Sequence, residues 1–284
     1  MSSPDSAPTA HDRVAAERAS LGDLGQGYPA NHFAWRTVLD RARQTGATSL
    51  VEVGVGRGNG VAHVLDAGLT FAGLDRDLEC VEATRTELAL LGGDPASVVL
   101  ASAEDQDLVD RVPGAGSFDL LMALGIMPHA EDSAATLRSM ARLVRPGGEM
   151  FIEFRNSLFA LVTFNRLTHD LIVDDLLGDV PGSLRAKVSD FVETRVAMDR
   201  PPANSSALTS HYANPLAVPR WLADLGFTET SIHPFHYHAA MPLLEAEDPQ
   251  SFRDASLALE DETSGWRGLL LASVFLARVV RPLD

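Results

Sequence analysis

Val51-Glu52-Val53-Gly54-Val55-Gly56-Arg57-Gly58-Asn59-Gly60 closes an apolar, β-branched run and opens a stretch with helical patterning. Glycines at such a junction let the chain turn tightly and let a ligand approach the backbone. A phosphate-binding P-loop would finish in Gly-Lys-Ser/Thr. The one lysine of the chain, Lys187, follows Ala186, so that reading fails. A dinucleotide fingerprint needs G-x-G-x-x-G. Counted from Gly54 its third glycine falls on Asn59, and counted from Gly56 it falls on Val61. What remains is G-x-G-x-G, with an acid two places before the first glycine.

Outward from this loop, short apolar runs alternate with helix-like stretches. The runs are 49–54, 69–75, 97–102, 118–125 and 148–154; between them lie 59–67, 77–92, 104–111 and 131–143. Strands alternating with helices predict βαβ units and a parallel sheet covered on both faces. Right-handed crossovers make it doubly wound. Pro146-Gly147-Gly148 is a turn that stops a helix at Val144 and launches the fifth strand. The rhythm then breaks over 156–212, which reads as a helical insertion. Order resumes with a helix at 215–225, a strand at 227–239, a helix at 249–261 and a last strand at 269–280. Three units are expected: an N-terminal tail and helices over 1–47, a core over 48–155 and 213–284, and a lid over 156–212. Amphipathic segments near 12–24 and 31–45 supply the first.

The loop resembles motif I of the class I S-adenosylmethionine (SAM) methyltransferases, and the resemblance runs through most of 48–155. It implies a Rossmann-like, seven-stranded, mostly parallel sheet with an antiparallel last strand. Gly54, Val55, Gly56 and Gly58 would pass under the methionine part of the cofactor, with Glu52 near its amino-acid end. SAM carries a sulfonium and an ammonium but no phosphate, so an acidic neighbour is tolerable. Asp75, ending the second strand in Phe71-Ala72-Gly73-Leu74-Asp75, would accept hydrogen bonds from the ribose hydroxyls, a role that NAD would equally require. Arg76 would lie at the cofactor's edge. Ser102-Ala103-Glu104-Asp105 resembles the family's adenine-edge segment, with Ala103 and Glu104 as the contacts. Glu104 reads equally as an acid favoured by a helix N-terminus. Phe118-Asp119 begins the strand whose end, through Ala123, lies beside the transferred methyl.

Composition bounds the partners. Of 284 residues, 45% are hydrophobic and 22% charged, as in an ordinary globular domain. Lys plus Arg is 23 against 39 Asp plus Glu, a formal net charge of −16. So acidic a chain repels phosphate backbones unless it carries a basic stripe, and none is visible. No apolar run reaches about 18 residues, so no membrane span is expected. No secretory signal is read in the polar MSSPDSAPTAHDR, and the cytoplasm is the expected compartment. Cys80 is the one cysteine, which excludes an intrachain disulfide and a cysteine-rich zinc site. The expected partner is a small-molecule methyl acceptor; a homodimer is compatible with the sequence.

Methyl transfer needs the nucleophile held about 3 Å from the methyl carbon along the C–S axis. A base is required where the acceptor is a hydroxyl or a protonated amine. His129, after the fourth strand in Ile126-Met127-Pro128-His129, His169 within the insertion, and His211 with Tyr212 where the insertion rejoins the core are the candidates. Each reads equally as a packed side chain. His233, His236 and His238 lie on one strand, where alternation would keep His236 and His238 from opposing each other; no metal site is expected there. Arg155, Asn156 and Arg166 are the polar exceptions around an apolar lid helix, and either arginine could pair with an acidic acceptor. O-methylation of a small acceptor in natural-product or glycan tailoring is the leading expectation. N-methylation comes next, then a SAM-binding protein without transferase activity.

Overall fold

The computed structural model describes residues 30–196, 211–238, 248–260 and 266–283. The segment expected near 12–24 lies outside them. Helix α1 (Ala30–Thr45) precedes β1 (Ser49–Val53), α2 (Val61–Asp66), β2 (Thr70–Asp75), α3 (Leu78–Leu90) and β3 (Val98–Leu100). Then come the single turn α4 (Leu108–Arg111), β4 (Phe118–Ala123), α5 (Ser133–Ala141) and β5 (Val144–Asn156). Helices α6 (Arg166–Asp170) and α7 (Gly182–Glu193) follow, then β6 (Tyr212–Ala213), α8 (Val218–Asp224), β7 (Thr228–Tyr237), α9 (Pro249–Glu260), α10 (Trp266–Leu271) and β8 (Ala272–Val280).

The strands form one sheet in the order β3-β2-β1-β4-β5-β8-β7, with β6 added beside β5. From β3 to β5 all pairs are parallel; β8 runs antiparallel to both β5 and β7. The doubly wound expectation therefore holds, with eight strands in place of seven. The eighth is a two-residue pairing of Arg155 with Tyr212 and Asn156 with Ala213, too short for any periodicity to announce. Two boundaries also move. Residues 269–271 belong to α10 rather than to the last strand. Val144 already pairs with Phe118, so Pro146-Gly147-Gly148 is an irregularity inside β5 rather than its start, and the preceding helix ends at Ala141.

Alternation along each strand feeds two apolar layers. Val51, Val53, Leu121, Ile152 and Phe275 face one, closed by Leu137 and Met140 of α5 and Leu222 of α8. Leu50, Leu120, Met122, Phe151 and Leu276 face the other, beneath Trp35 and Val38 of α1, Val61 and Val64 of α2, and Leu88 of α3. Several helices begin on a side-chain cap: Asp77 accepts from Glu79 N at 2.8 Å, and Asp132 from Ala134 N and Ala135 N at 3.0 Å. Such caps contribute about 1 kcal/mol each. They also fix where α3 and α5 depart from the C-terminal rim of the sheet.

The opposite rim is closed by ion pairs. Glu149 is gripped by Arg41, with Nη2 at 2.6 Å, and by Arg278 Nε at 2.9 Å. Asp119 accepts from Thr48 N at 2.8 Å, from the Thr48 and Ser49 hydroxyls, and from Arg145 Nε at 2.8 Å. Burial opposes its ionisation, but the Thr48 N–H, Arg145 and the two hydroxyls outweigh it and lower its pKa to about 2. A depressed carboxylate contributes stability that is full above its unfolded pKa and lost as pH falls through the folded one. Asp119→Asn is therefore expected to cost about 2 kcal/mol at pH 7, the equivalent of that shift. In urea melts the gap from the parent chain should close between about pH 4 and pH 2. Asp119 thus lies at the amino end of β4, as a clasp.

Candidate active site

The glycine loop is tied down from three sides. Gly54 N and Val55 N donate to Leu74 O at 2.8 and 3.1 Å, Gly56 N donates to Asp75 Oδ2 at 2.9 Å, and Thr84 Oγ1 of α3 donates to Gly56 O at 2.9 Å. Gly54, Gly56 and Gly58 all have positive φ, at +82°, +52° and +84°. Their surroundings differ. A Cβ on Gly54 would meet Ile126 Cδ1 at 2.4 Å and one on Gly58 would meet Thr84 Cα at 3.2 Å, whereas one on Gly56 would meet nothing within 4 Å. Two glycines let the protein pack against itself; Gly56 alone of these three faces open space at the rim.

Beside the loop lies a cleft of about 610 Å³, counting its open mouth, lined by Val53, Gly54, Leu74, Asp75, Arg76, Ala101, Ser102, Ala103, Glu104, Gly125, Ile126, His129, Ala130 and Thr136. Its size suits a nucleoside-scale ligand. It sits at the carboxyl ends of β1, β2 and β4, where open α/β sheets bind ligands. Asp75 keeps lone pairs on both oxygens after accepting Gly56 N and Asp77 N, each at 2.9 Å. Glu104 lines the cleft, and its Oε1 clasps Glu131 N at 2.8 Å and Thr136 Oγ1 at 3.3 Å, which ties the cleft's third edge to α5. Ala103 is buried in the wall and Arg76 is exposed at the mouth. Of the expected cofactor residues, Glu52, Val55, Gly56, Gly58 and Ala123 are not among the cleft's lining: Val55 turns into the layer under α2, and Ala123 is fully buried beneath the floor.

Glu52 is 5% exposed, and its Oε2 has no hydrogen-bond partner. Burial first, and the Asp75 charge second, push its pKa well above the carboxylate range. A buried acid with an unpartnered oxygen next to a glycine loop leaves an acceptor there for a ligand to satisfy. With Asp75 and Glu104 near Arg76 alone as cation, the lining suits a positively charged nucleoside and repels a pyrophosphate.

The catalytic candidates separate. His129, in the turn Met127–His129, lines the nucleoside cleft. His211 and Tyr212 line a second cleft of about 750 Å³ with Met127, Ser133, Phe154, Asn214 and Trp221 among its walls. The two clefts share the turn after β4, and His211 N donates to Pro128 O at 3.0 Å. His169 lines neither. It is buried in the insertion, with Nδ1 2.9 Å from Asp170 Oδ1 and Nε2 2.9 Å from Ser189 Oγ, joining α6 to α7. Asn156 is buried and donates to Leu269 O and Ala272 O at 2.8 Å, while Arg166 pairs with Asp170 at 3.7 Å. His236 has φ +59°, and its ring lies 5.0 Å from that of His238. Among the described residues no group of three or more His, Cys, Asp or Glu is placed to hold a metal ion. No described helix is long and apolar enough to cross a membrane.

Two residues escaped the sequence reading. Thr84 reaches the loop from another helix, so no local pattern flags it. Glu153 does leave a signal, a carboxylate inside the apolar run Met150-Phe151-Ile152-Glu153-Phe154, like that of Glu52 in β1.

Sheet order, open glycine and acid-lined cleft together resemble those of a class I SAM-dependent methyltransferase domain, and the cleft's lining fits S-adenosylmethionine. Residues 51–150 match the family described as Methyltransferase domain. Among curated proteins, the ubiquinone biosynthesis O-methyltransferase of Vibrio parahaemolyticus is 30% identical over 161 residues, covering 52% of this chain and 66% of that one. Its counterpart in Aromatoleum aromaticum is 27% identical over 135 residues, covering 48% and 56%. The matched part thus spans just under two thirds of these relatives at most. Among solved structures, DszA carbon methyltransferase is similar with a TM-score of 0.50 at 14% identity, over 89% of this chain and 55% of that one; at this identity the likeness concerns the fold alone.

Proposed function

We propose that this chain transfers the methyl group of SAM to a hydroxyl oxygen of a small-molecule acceptor, in the tailoring of a natural product, glycan or other metabolite. The observation that carries the reading is the combination of Gly56, open to the rim, with Glu52, buried and unpaired beneath the same loop. When bound, SAM supplies an electrophilic methyl on a positively charged sulfur. The chain's own residues hold and shield the reactants. Asp75 accepts the ribose hydroxyls, Glu52 balances the cationic methionine end, and the Ala101–Ala103 wall takes the base.

The acceptor's apolar body fits the second cleft, whose walls include Phe154, Trp221 and Met127. From there its reacting group reaches past the turn at Met127–His129 toward the end of β4. The relatives named as O-methyltransferases favour oxygen over nitrogen as the attacking atom. The whole-protein acidity disfavours a nucleic-acid acceptor.

At 100 times its Kd, SAM should stabilise the chain by about 2.7 kcal/mol, raising Tm by roughly 5–10 °C. Methyl-labelled SAM incubated with the chain and a metabolite extract should label small molecules. A flat melt at saturating SAM sinks the cofactor assignment; binding without label transfer sinks the enzymatic one.

A further inference from the structure

The second cleft is built where one strand stops and another begins. β4 ends at Ala123, opposite Ile152 of β5, but β5 runs on to Asn156. There its other edge is occupied by β8, with Arg155 opposite Val274. β6 therefore takes the edge that β4 leaves, with Tyr212 opposite Arg155 and Ala213 opposite Asn156. His211, just before it, is fastened to the turn after β4 by its N–H on Pro128 O at 3.0 Å. Residues 211–213 thus continue the line of β4 past its end, and they form one wall of the cleft.

Another wall is aromatic and held from behind. Asn214 starts α8: its Oδ1 accepts from Leu216 N at 2.9 Å, and its carbonyl from Ala217 N and Val218 N at 2.9 and 3.0 Å. Val218 and Leu222, four apart, turn into the core, and Trp221 on their flank stays half-buried and lines the cleft. Trp221 meets Phe154 nearly at right angles, with ring centres 6.2 Å apart at 81°, and Phe154 stacks on the buried Phe275 at 5.6 Å. The two rings make a rigid corner. With Tyr212, three of the ten lining residues are aromatic in a chain whose aromatic content is 6%, whereas the described lining of the nucleoside cleft has none. Such enrichment marks a surface for a ring. Ser133 and His211, neutral hydrogen-bonding groups on either side of the shared turn, supply the polar end.

We propose that the second cleft selects its acceptor by an aromatic ring, and that Trp221 is the residue that reads it. This rests on the methyl-transfer reading above and narrows its acceptor to a hydroxylated aromatic compound rather than a glycan. The ring lies against the Trp221 indole, and its hydroxyl points to the side of His211 and Ser133, next to the turn that both clefts share. A saturated ring of the same size fills the same space but offers no π face to the indole. A sugar brings several hydroxyls into the Phe154–Trp221 corner, where they lose water without gaining partners. The volume, about 750 Å³ with its mouth, suits a small fused ring system.

Calorimetry on the full chain tests it, with and without saturating S-adenosylhomocysteine. The probe is naphthalene-2,3-diol, and its control is decahydronaphthalene-2,3-diol, which has the same heavy atoms. The aromatic diol should bind about fivefold more tightly or better. Trp221→Ala should weaken its binding about tenfold or more, and Trp221→Phe should keep it within about threefold of the parent. Affinity for SAM should stay within about twofold in both variants, which also shows that they fold. Equal affinity of the parent chain for the two diols, or of Trp221→Ala and the parent for the aromatic one, overturns the proposal and leaves the methyl-transfer reading standing. A chain that binds the aromatic diol through Trp221 but binds no SAM keeps the aromatic site and loses the methyl-transfer reading.

Discussion

Gly56→Leu is expected to fold, to lose only a few degrees of Tm, and to bind SAM at least about 100-fold more weakly. A left-handed backbone costs an L side chain roughly 1–2 kcal/mol, and Gly56 at φ +52° would bear that cost. Packing adds none, because its Cβ would meet no atom within 4 Å. On the proposed reading this open space is where the loop passes under SAM, so the added side chain would collide with the ligand rather than with the protein. Gly46 supplies the control. It has φ +68° and an equally open Cβ position, but it lies in the turn before β1, at the closed rim. Gly46→Leu should reproduce the loss of Tm and leave calorimetric affinity for SAM unchanged. Equal affinity in the two variants would place the ligand elsewhere.

The contrast between these glycines marks what the chain makes legible by itself. Buried parallel strands are apolar runs, so β1, β2 and β4 stand out, and the G-x-G-x-G spacing places Glu52 and Asp75 with them. The spacing does not tell Gly54 and Gly58, which face Ile126 and Thr84, from Gly56, which faces the rim; that depends on what other elements bring alongside. Leu269 to Leu271 are indistinguishable in pattern from the strand they precede, and tertiary packing turns them into helix. His236 leaves the extended region of the backbone, which a strand-like pattern does not announce. His169 looks like a base in isolation, but a serine twenty residues on occupies its second nitrogen. Glu153 was readable as an anomaly, since acids are rare within buried strands. That Glu149, on the same strand, is clamped appears only with Arg41 and Arg278, which arrive from both ends of the chain.

Glu52→Gln is expected to act in opposite directions on stability and on binding. In the parent chain Glu52 is buried, its Oε2 has no partner, and Asp75 adds like charge, so its folded pKa lies above the unfolded value near 4.3. A raised carboxyl pKa is a destabilisation: stability is fully present below the unfolded pKa and falls as pH rises through the folded one. A neutral amide removes that loss, so at pH 8 the variant should be more stable by about 1–3 kcal/mol, the usual cost of an uncompensated buried polar group. Near pH 4 the two chains should melt alike. On the proposed reading SAM should reverse the ranking, its cationic methionine end providing the charge that Glu52 lacks. Affinity of the parent should rise with pH as Glu52 ionises, whereas Glu52→Gln should bind about 10–100-fold more weakly with little pH dependence. Paired melts at pH 4 and pH 8, with calorimetry across that range, read all three effects. A variant that is destabilised at every pH and still binds SAM with the parent's affinity would make Glu52 a packing residue, and its burial would then need a cause other than the ligand.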